Sequence, residues 1–283
     1  MMLIAWLTEP LSYPFMQRAI IAAIATGAVC AVLSCYLVLK GWSLMGDAIS
    51  HAVLPGIVLA FAAGIPLAIG AFVSGVFCAV ATGYVKEHSR VKEDTVMGIV
   101  FSGMFALGLV LFSRIDTDQH LSHILFGNVL GITAPELKQT LAIAGFTLLV
   151  ILLKRRDFML YCFDPNHARV IGLPVRLLHY SLLCLLALTI VASLQAVGVI
   201  LVIAMLIAPG IIAFMICRSF ERMLMVATLV SILSCVSGTL LSFYIDGATG
   251  PCIVIIQAAV FVITLSHHQW RVRYRPSAGG DVA

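Results

Sequence analysis

Long apolar runs dominate this sequence and restrict what the chain can fold into. A helix needs about 20 mostly apolar residues to cross a bilayer, and nine windows of the sequence meet that requirement. They lie at about 19–39, 43–64, 66–85, 95–113, 137–153, 177–196, 198–217, 223–245 and 250–266. The run from 177 to 217 is too long for one helix, so we divide it at 195–198. Because this division is uncertain from the sequence, a count of eight or ten spans stays open. The sequence predicts an all-α, polytopic helical membrane protein with about nine hydrophobic spans.

The composition agrees with this class. Hydrophobic residues make up 61% of the chain and charged residues 11%, whereas soluble domains have about 25% charged residues. This balance excludes a water-soluble globule, and the runs lack the alternation of membrane β-barrel strands. The eight cysteines mostly lie inside apolar runs without a Cys-x-x-Cys pair. We interpret them as core or lipid-phase residues and not as disulfide or zinc-binding residues.

Basic residues predict the orientation, because Lys and Arg concentrate in cytoplasmic loops. With nine spans, 14 of the 17 basic residues fall on the same side as the C-terminus. Arg18, Arg114 and Lys138 are the other three. We therefore expect a multi-pass protein with its N-terminus outside and its C-terminus inside. The net charge of +4 reflects this topology, and since no polar domain gathers the basic residues, no nucleic-acid partner is predicted.

Asp47 is the one acidic residue, among 13, that lies well within an apolar span. Ionisable groups in the hydrocarbon region cost about 2.5–3.5 kcal/mol on insertion scales and so mark functional sites. His51 follows four residues later, which on a helix places the two side chains on one face. A carboxylate beside a neutral imidazole suits Mn, Fe or Zn. Two ligands form an incomplete site, and two copies of the segment would supply four.

Two other interpretations of this pair stay open from the residues alone. The first is a hydrogen bond that stabilises the helix, because Asp47 lies about four residues from the expected cytoplasmic end of its span. The second is a proton relay. Gly46, Ser50 and Pro55 belong to the same segment, and Gly and Pro interruptions in membrane helices are tolerated mainly where the backbone lines a cavity or packs on protein. We therefore expect the segment to line a pathway.

A second interruption follows on another span, where Pro209 comes one turn after Met205. It is a candidate lining or hinge element, and a packed kink explains it equally well. Other polar residues give weaker indications. His120 and His123, beside two aspartates in the outer loop, would suit either a metal-delivering partner or an interfacial helix.

The loop after span five contains the signals of a short helix outside the bilayer. Asp164 is suited to cap its start, Pro165 to occupy its first position, and Gly172 to end it. A helix of about seven residues is not stable by itself, so we expect it to dock onto another protein. Phosphate-loop and hydrolase motifs are missing from the sequence. The chain is therefore not predicted to be an enzyme, and any ATP dependence would come from a separate subunit.

Together these segments resemble the permease subunits of type II ABC importers for manganese, iron or zinc. The resemblance covers nearly the whole chain. It is carried by GDAISHAVLPG at 46–56, FGN at 126–128, the loop at 164–172, QAVG at 195–198 and the Ala-Pro pair at 208–209. It implies a single transmembrane permease domain over 1–283, with a cytoplasmic coupling loop at about 157–176, a cytoplasmic tail at 267–283 and a location in the bacterial inner membrane.

The resemblance also implies roles for particular residues and partners. Asp47 and His51 would be the intramembrane metal-contacting pair, and the helix with Asp164, Ala168, Arg169 and Gly172 would couple to the ATPase. The expected partners are an ABC ATPase that uses the ATP, an extracytoplasmic metal-binding protein, and a second copy or a homologous permease. No permanently bound cofactor is implied, and the divalent metal is the cargo. The alternatives are a proton-coupled secondary transporter and an ABC permease for metal chelates such as haem, siderophores or cobalamin.

Overall fold

The computed structural model describes residues 9–42, 44–91, 93–114 and 129–273. Helices form these parts of the chain, and no strand occurs in them. The delimited helices, in chain order, are α1 Pro14–Lys40, α2 Met45–Ala52, α3 Leu54–Ala63, α4 Leu67–His88, α5 Glu93–Phe112, a 3-10 turn Val129–Gly131, α6 Ala134–Leu153, α7 Arg155–Phe163, α8 Pro165–Val170, α9 Val175–Val197, α10 Val199–Ile216, α11 Phe220–Ile245 and α12 Thr249–Arg273.

Nine of the described segments are long and apolar enough to cross a membrane. Eight of them are single helices, and the second span, Met45–Ala63, consists of α2 and α3. The predicted all-α class and the count of nine are confirmed for the described residues. The predicted division of the long run is also confirmed, because α9 ends at Val197 and α10 begins at Val199. Gly198 separates them with a φ of 82°, a conformation that glycine adopts without a steric penalty.

Helix α1 forms the centre of the protein. Of its most apolar window, 78% is buried, compared with 17% for α5 and 22% for α6 and α12. It packs against α10, α11 and α6, with further contacts to α9 and α7. Since a membrane helix buried on all sides must be covered by protein and not lipid, the peripheral helices present the faces that remain for lipid or for other subunits.

Seven of the other helices form two groups, and α9 contacts both of them. Helices α2, α3, α4 and α5 pack together, and α10, α11 and α12 pack together, with α10 and α11 against α1. In the first group α3 and α4 touch through their backbones, since a Cβ on Gly56 would collide with the carbonyl oxygen of Gly70. Small residues permit this close approach, which is a common way for membrane helices to associate.

The burial of the cysteines agrees with their interpretation as core residues. All eight are free, five of them are buried, and the others are partly buried. In α7, outside the nine spans, burial raises the pKa of the Cys162 thiol to about 12, against the opposing charge of Lys40. A thiol of this kind stays neutral and serves as a small packing residue.

Candidate functional site

Helix α2 brings Asp47 and His51 together as their spacing predicts. His51 Nε2 lies 3.3 Å from Asp47 Oδ1, one helical turn away. The side chain of His51 is 29% exposed and that of Asp47 is 33% exposed. Both polar groups therefore reach the surface of a single chain from within an apolar span. An exposed pair of this kind is free to bind a further ligand, although its internal contact also satisfies the two groups in part.

Aromatic side chains from α5 surround the imidazole. The His51 ring stacks on Phe101 with ring centres 6.3 Å apart, and it meets Phe105 edge-on at 5.2 Å. Both phenylalanines lie near the middle of α5, between its ends at Glu93 and Phe112. Rings packed in this way restrict how the imidazole can turn. The contact therefore orients His51 beside the carboxylate.

Hydrogen bonds hold the segment where the span is interrupted. Pro55 has no amide hydrogen, so it cannot donate the backbone hydrogen bond that would join α3 to α2. Helix α2 ends and α3 begins at Val53. The Ser50 hydroxyl donates to the carbonyl oxygen of Gly46 at 2.7 Å. Ser74 of α4 donates to the carbonyl oxygen of Ala52 at 2.7 Å. A neighbouring helix thus provides a partner for the backbone at the interruption.

Residues next to the pair pack against the middles of neighbouring helices. A Cβ on Gly46 would lie 2.9 Å from Leu206 Cδ1, near the middle of α10. A Cβ on Gly75, near the middle of α4, would lie 3.2 Å from Ile49 and 3.6 Å from Ala187 in mid-α9. Asp47 is the third residue of the span Met45–Ala63, close to the position that the sequence predicts. Before this span, α1 ends at Gly41 with a φ of 76°, and Trp42 is already buried.

Within the described residues, Asp47 and His51 have no third metal-binding side chain beside them. No group of three His, Cys, Asp or Glu side chains able to hold a metal ion occurs in the parts of the chain that the structure describes. Asp47 and His51 are side chains of the types that bind transition metals. Transition metals take four or more ligands, and two such groups fall short of that number.

The second interruption, in α10, is packed against α1. Pro209 lies inside the helix and is buried. Ser34 of α1 accepts a hydrogen bond from the Gly210 amide at 3.0 Å and donates to the Ile207 carbonyl oxygen at 3.2 Å. Met205 is fully buried, and its methyl group lies near Gly27 of α1. In the single chain, Met205 and Pro209 therefore face α1 and not the surface with Asp47.

The loop between α6 and α9 folds into the short helix that its residues predict. Asp164 caps α8, and its carboxylate accepts hydrogen bonds from the amides of Asn166 at 2.9 Å and His167 at 3.0 Å. Gly172 ends the turn with a φ of 86°. Ala168 is fully buried and Arg169 is exposed. The helix is thus anchored on one face and open on the other.

Three apolar side chains around α8 remain uncovered. Phe163 is 78% exposed, Val170 is 84% exposed and Ile171 is 54% exposed, and all three lie outside the nine membrane-length segments. We call them, together with Arg169, the coupling-loop patch. An apolar patch outside the lipid is typical of a surface that binds another protein.

A cluster of four polar and aromatic side chains next to the turn before α2 was not predicted from the sequence. His179 of α9 hydrogen-bonds through Nδ1 to the Tyr161 hydroxyl at 2.7 Å, and its ring meets Trp42 edge-on at 5.3 Å. The Lys40 ammonium lies 4.3 Å from the centre of the Tyr161 ring. These residues connect α7, which leads into α8, with the turn that precedes α2. No local signal marks them, because the four residues come from three separate parts of the chain, at 40–42, 161 and 179.

Two sequence-based expectations lie outside the described residues. They are the outer-loop histidines His120 and His123, and the FGN segment at 126–128.

Comparison with known proteins identifies the family. The model of the ABC 3 transport family matches residues 12–268. This chain belongs to the ABC 3 transport family. Membership confirms the resemblance to metal ABC importer permeases and agrees with a multi-pass membrane protein.

Individual relatives cover nearly the same length. YfeD, a membrane protein of the chelated iron transport system of Yersinia pestis, is 84% identical over 267 residues, which are 94% of this chain and 90% of that protein. MntB, a manganese transport system membrane protein of Synechocystis, is 54% identical over 284 residues, covering 98% of this chain and 93% of that protein. The structure of PsaBC from Streptococcus pneumoniae in complex with a Fab matches with a TM-score of 0.83 and 36% identity. It covers 93% of this chain and 95% of that one.

Proposed function

We propose that this chain is the membrane-spanning permease subunit of an ABC importer that moves a divalent transition metal, Mn²⁺ or Fe²⁺, with Zn²⁺ within the same ligand chemistry. The observation that carries the proposal is the Asp47–His51 pair, 3.3 Å apart and partly exposed within an apolar span. The names of YfeD and MntB support iron and manganese as cargo. The chain itself is a transport subunit and catalyses no reaction.

The ligand chemistry explains why such a pair suits transport. The carboxylate of Asp47 and a neutral His51 imidazole both donate electron pairs to a borderline metal ion such as Mn²⁺ or Fe²⁺. The two ligands of one chain bind an ion more weakly than a complete site does. A chain that separates from its partner's ligands would therefore release the ion readily, as conduction through a membrane requires.

A second permease would complete the site. If two copies meet across a two-fold axis, or if this chain meets a homologous permease, each contributes a carboxylate and an imidazole. The partial exposure of both side chains in one chain supports this arrangement. The metal would then be held between the subunits, where separation of the two permeases releases it.

The coupling-loop patch would receive the ATPase. Its exposed Phe163, Val170 and Ile171 provide the apolar surface, Arg169 adds a charge, and buried Ala168 fixes the helix on the permease. A movement of α8 would be transmitted to α2 through the cluster of Trp42, His179 and Tyr161. ATP hydrolysis in the partner would in this way change the packing around the metal pair.

The orientation follows from charge. With the N-terminus outside and the C-terminus inside, the loops that carry most Lys and Arg face the cytoplasm, and α8 faces the ATPase. The opposite side of the inner membrane then receives an extracytoplasmic metal-binding protein. We propose this arrangement for the assembled importer.

The test is metal uptake by variants of the pair. Asp47→Ala and His51→Ala should each abolish ⁵⁴Mn uptake while the permease still co-purifies with its ATPase. Asp246→Asn is the matched control, because Asp246 lies at the C-terminal end of α11 with a φ of 53°, which asparagine also adopts. Unchanged uptake by either alanine variant would refute the proposed role of that residue.

The name of YfeD favours a second candidate, transport of iron as a chelate. A chelated ion has its ligand positions filled and would not need Asp47 and His51 as ligands. Uptake assays with free Fe²⁺ and with a siderophore complex distinguish the two. The ion proposal expects free Fe²⁺ uptake that depends on both residues, and chelate uptake that tolerates their replacement would favour the second candidate.

A further inference from the structure

An apolar groove lies over α1, between α6 and α11. Its volume is about 630 Å³. Ala28 and Val32 of α1 form its floor, Leu152 of α6 and Leu229 of α11 form its walls, and no lining residue comes from α2 to α5. The groove is therefore separate from the surface of the metal pair. Carbon atoms provide nearly all of its lining.

The length of the groove matches one leaflet of a bilayer. Along α11 it extends from Glu221 to Ile232, which at 1.5 Å per residue is about 16 Å. Half of the hydrocarbon core is about 15 Å thick. A groove of this length that opens at the end of the spans accommodates a lipid acyl chain. A soluble ligand would gain little from a lining with so few polar atoms.

The mouth of the groove carries one positive and one negative group. Arg155 Nη2 donates to Glu221 Oε1 at 2.9 Å. The side chains are 44% and 71% exposed, so both still have hydrogen-bonding capacity toward the surface. Arg155 directly follows Lys154 at the end of α6, and Glu221 lies in the first turn of α11. Both charges therefore lie where a span ends, at the level of lipid headgroups.

We propose that the groove binds an ethanolamine phospholipid, with one acyl chain along Leu229 and Leu152. The guanidinium of Arg155 binds the phosphate, for which its planar fork is suited. Glu221 binds the ammonium group. A zwitterionic headgroup matches this pair because it brings one group of each sign, whereas an anionic headgroup would meet the carboxylate without a counter-charge.

The lipid connects elements that belong to different parts of the fold. It contacts α1, α6 and α11, and its headgroup contacts the first residue of α7, the helix that leads to α8. The site requires a chain embedded in a membrane and depends on neither the cargo nor the orientation. With the orientation proposed above, the lipid belongs to the inner leaflet.

The test is lipid binding to the full-length protein purified from membranes in detergent. Native mass spectrometry of delipidated protein, titrated with phosphatidylethanolamine or phosphatidylglycerol of the same acyl chains, gives the two affinities. The wild type should retain phosphatidylethanolamine with about tenfold higher affinity than Leu229→Trp, a ratio that corresponds to about 1.4 kcal/mol. Leu233→Trp is the matched control, because Leu233 is 59% exposed against 57% for Leu229 and does not line the groove.

A second pair of variants tests the headgroup. Arg155→Gln should weaken binding of phosphatidylethanolamine, and Arg156→Gln, at the adjacent exposed position, should not. Met225→Trp, at another exposed lining position, repeats the groove test independently. Equal affinities for Leu229→Trp, Met225→Trp and Leu233→Trp would overturn the groove as the binding site. Preference for phosphatidylglycerol, or equal binding by the two glutamine variants, would overturn the headgroup assignment. Crosslinking of a Leu229→Cys variant to another protein subunit would assign the groove to a protein partner instead.

Discussion

The cap of α8 depends on one carboxylate, and its removal tests the coupling role of that helix. Asp164 accepts two amide hydrogen bonds, at 2.9 and 3.0 Å, and α8 has six residues, too few to be stable alone. Replacing a capping residue with alanine costs about 0.5–2 kcal/mol. Because Asp164 is partly exposed, water replaces some of the lost hydrogen bonds. We therefore expect α8 to lose about 1 kcal/mol of stability, within this range.

A loss of that size converts directly into weaker docking. If the ATPase binds the folded α8, Asp164→Ala should lower its affinity for the permease about fivefold, as about 1 kcal/mol requires. Metal uptake should fall in parallel, while metal binding at the Asp47 pair stays unchanged. Surface-immobilised permease with purified ATPase gives the affinity. Hydrogen exchange at the amides of Asn166 and His167 reports the cap directly.

Two substitutions provide the controls for this prediction. Asn and Ser also cap helices, so Asp164→Asn and Asp164→Ser should restore most of the affinity. The reasoning is refuted if Asp164→Ala binds the ATPase as tightly as the wild type. It is also refuted if the asparagine variant is as weak as the alanine variant, because the charge and not the cap would then matter.

Two further predictions concern the packing of the bundle. Ser34→Ala removes the hydroxyl that accepts from the buried Gly210 amide of α10, so the free energy of unfolding should fall by about 1–3 kcal/mol. The measurement is a lower Tm in detergent. Ser237→Ala, which removes an exposed hydroxyl bonded within its own helix, should leave Tm unchanged, and equal shifts would contradict the role of Ser34. Gly56→Ala should prevent α3 and α4 from meeting and reduce the yield of monodisperse protein. Gly98→Ala has open space around it and should be neutral, so a monodisperse, stable Gly56→Ala protein would refute the close contact.

Local signals in the sequence predicted much of this fold. Hydrophobic runs of membrane length give the spans, because a polar residue in lipid is costly wherever it lies. The capped start and glycine end of α8 also depend on residues close in the sequence, and the structure agrees with them. The division at Gly198 follows from length alone, since one helix of that length would not fit the bilayer.

The parts that sequence did not predict depend on distant contacts. The packing next to Asp47 depends on the contact of Gly46 with Leu206 in α10, and hydropathy carries no information on it. Phe101 and Phe105 surround His51 from a helix about fifty residues away. Met205 stays a predicted pathway or hinge residue. Its burial against α1 in the single chain depends on which face of α10 meets the centre of the bundle.

The central claim is that His51 and Asp47 hold the transported ion. Pulsed electron paramagnetic resonance of Mn²⁺ bound to the assembled importer tests it directly, because a coordinating imidazole imposes ¹⁴N modulation on the echo decay. The account predicts this modulation in the wild type and in His267→Ala, whose histidine is exposed on α12, and predicts its loss in His51→Ala. Modulation of full depth in His51→Ala, or bound Mn²⁺ without nitrogen coupling in the wild type, would contradict it.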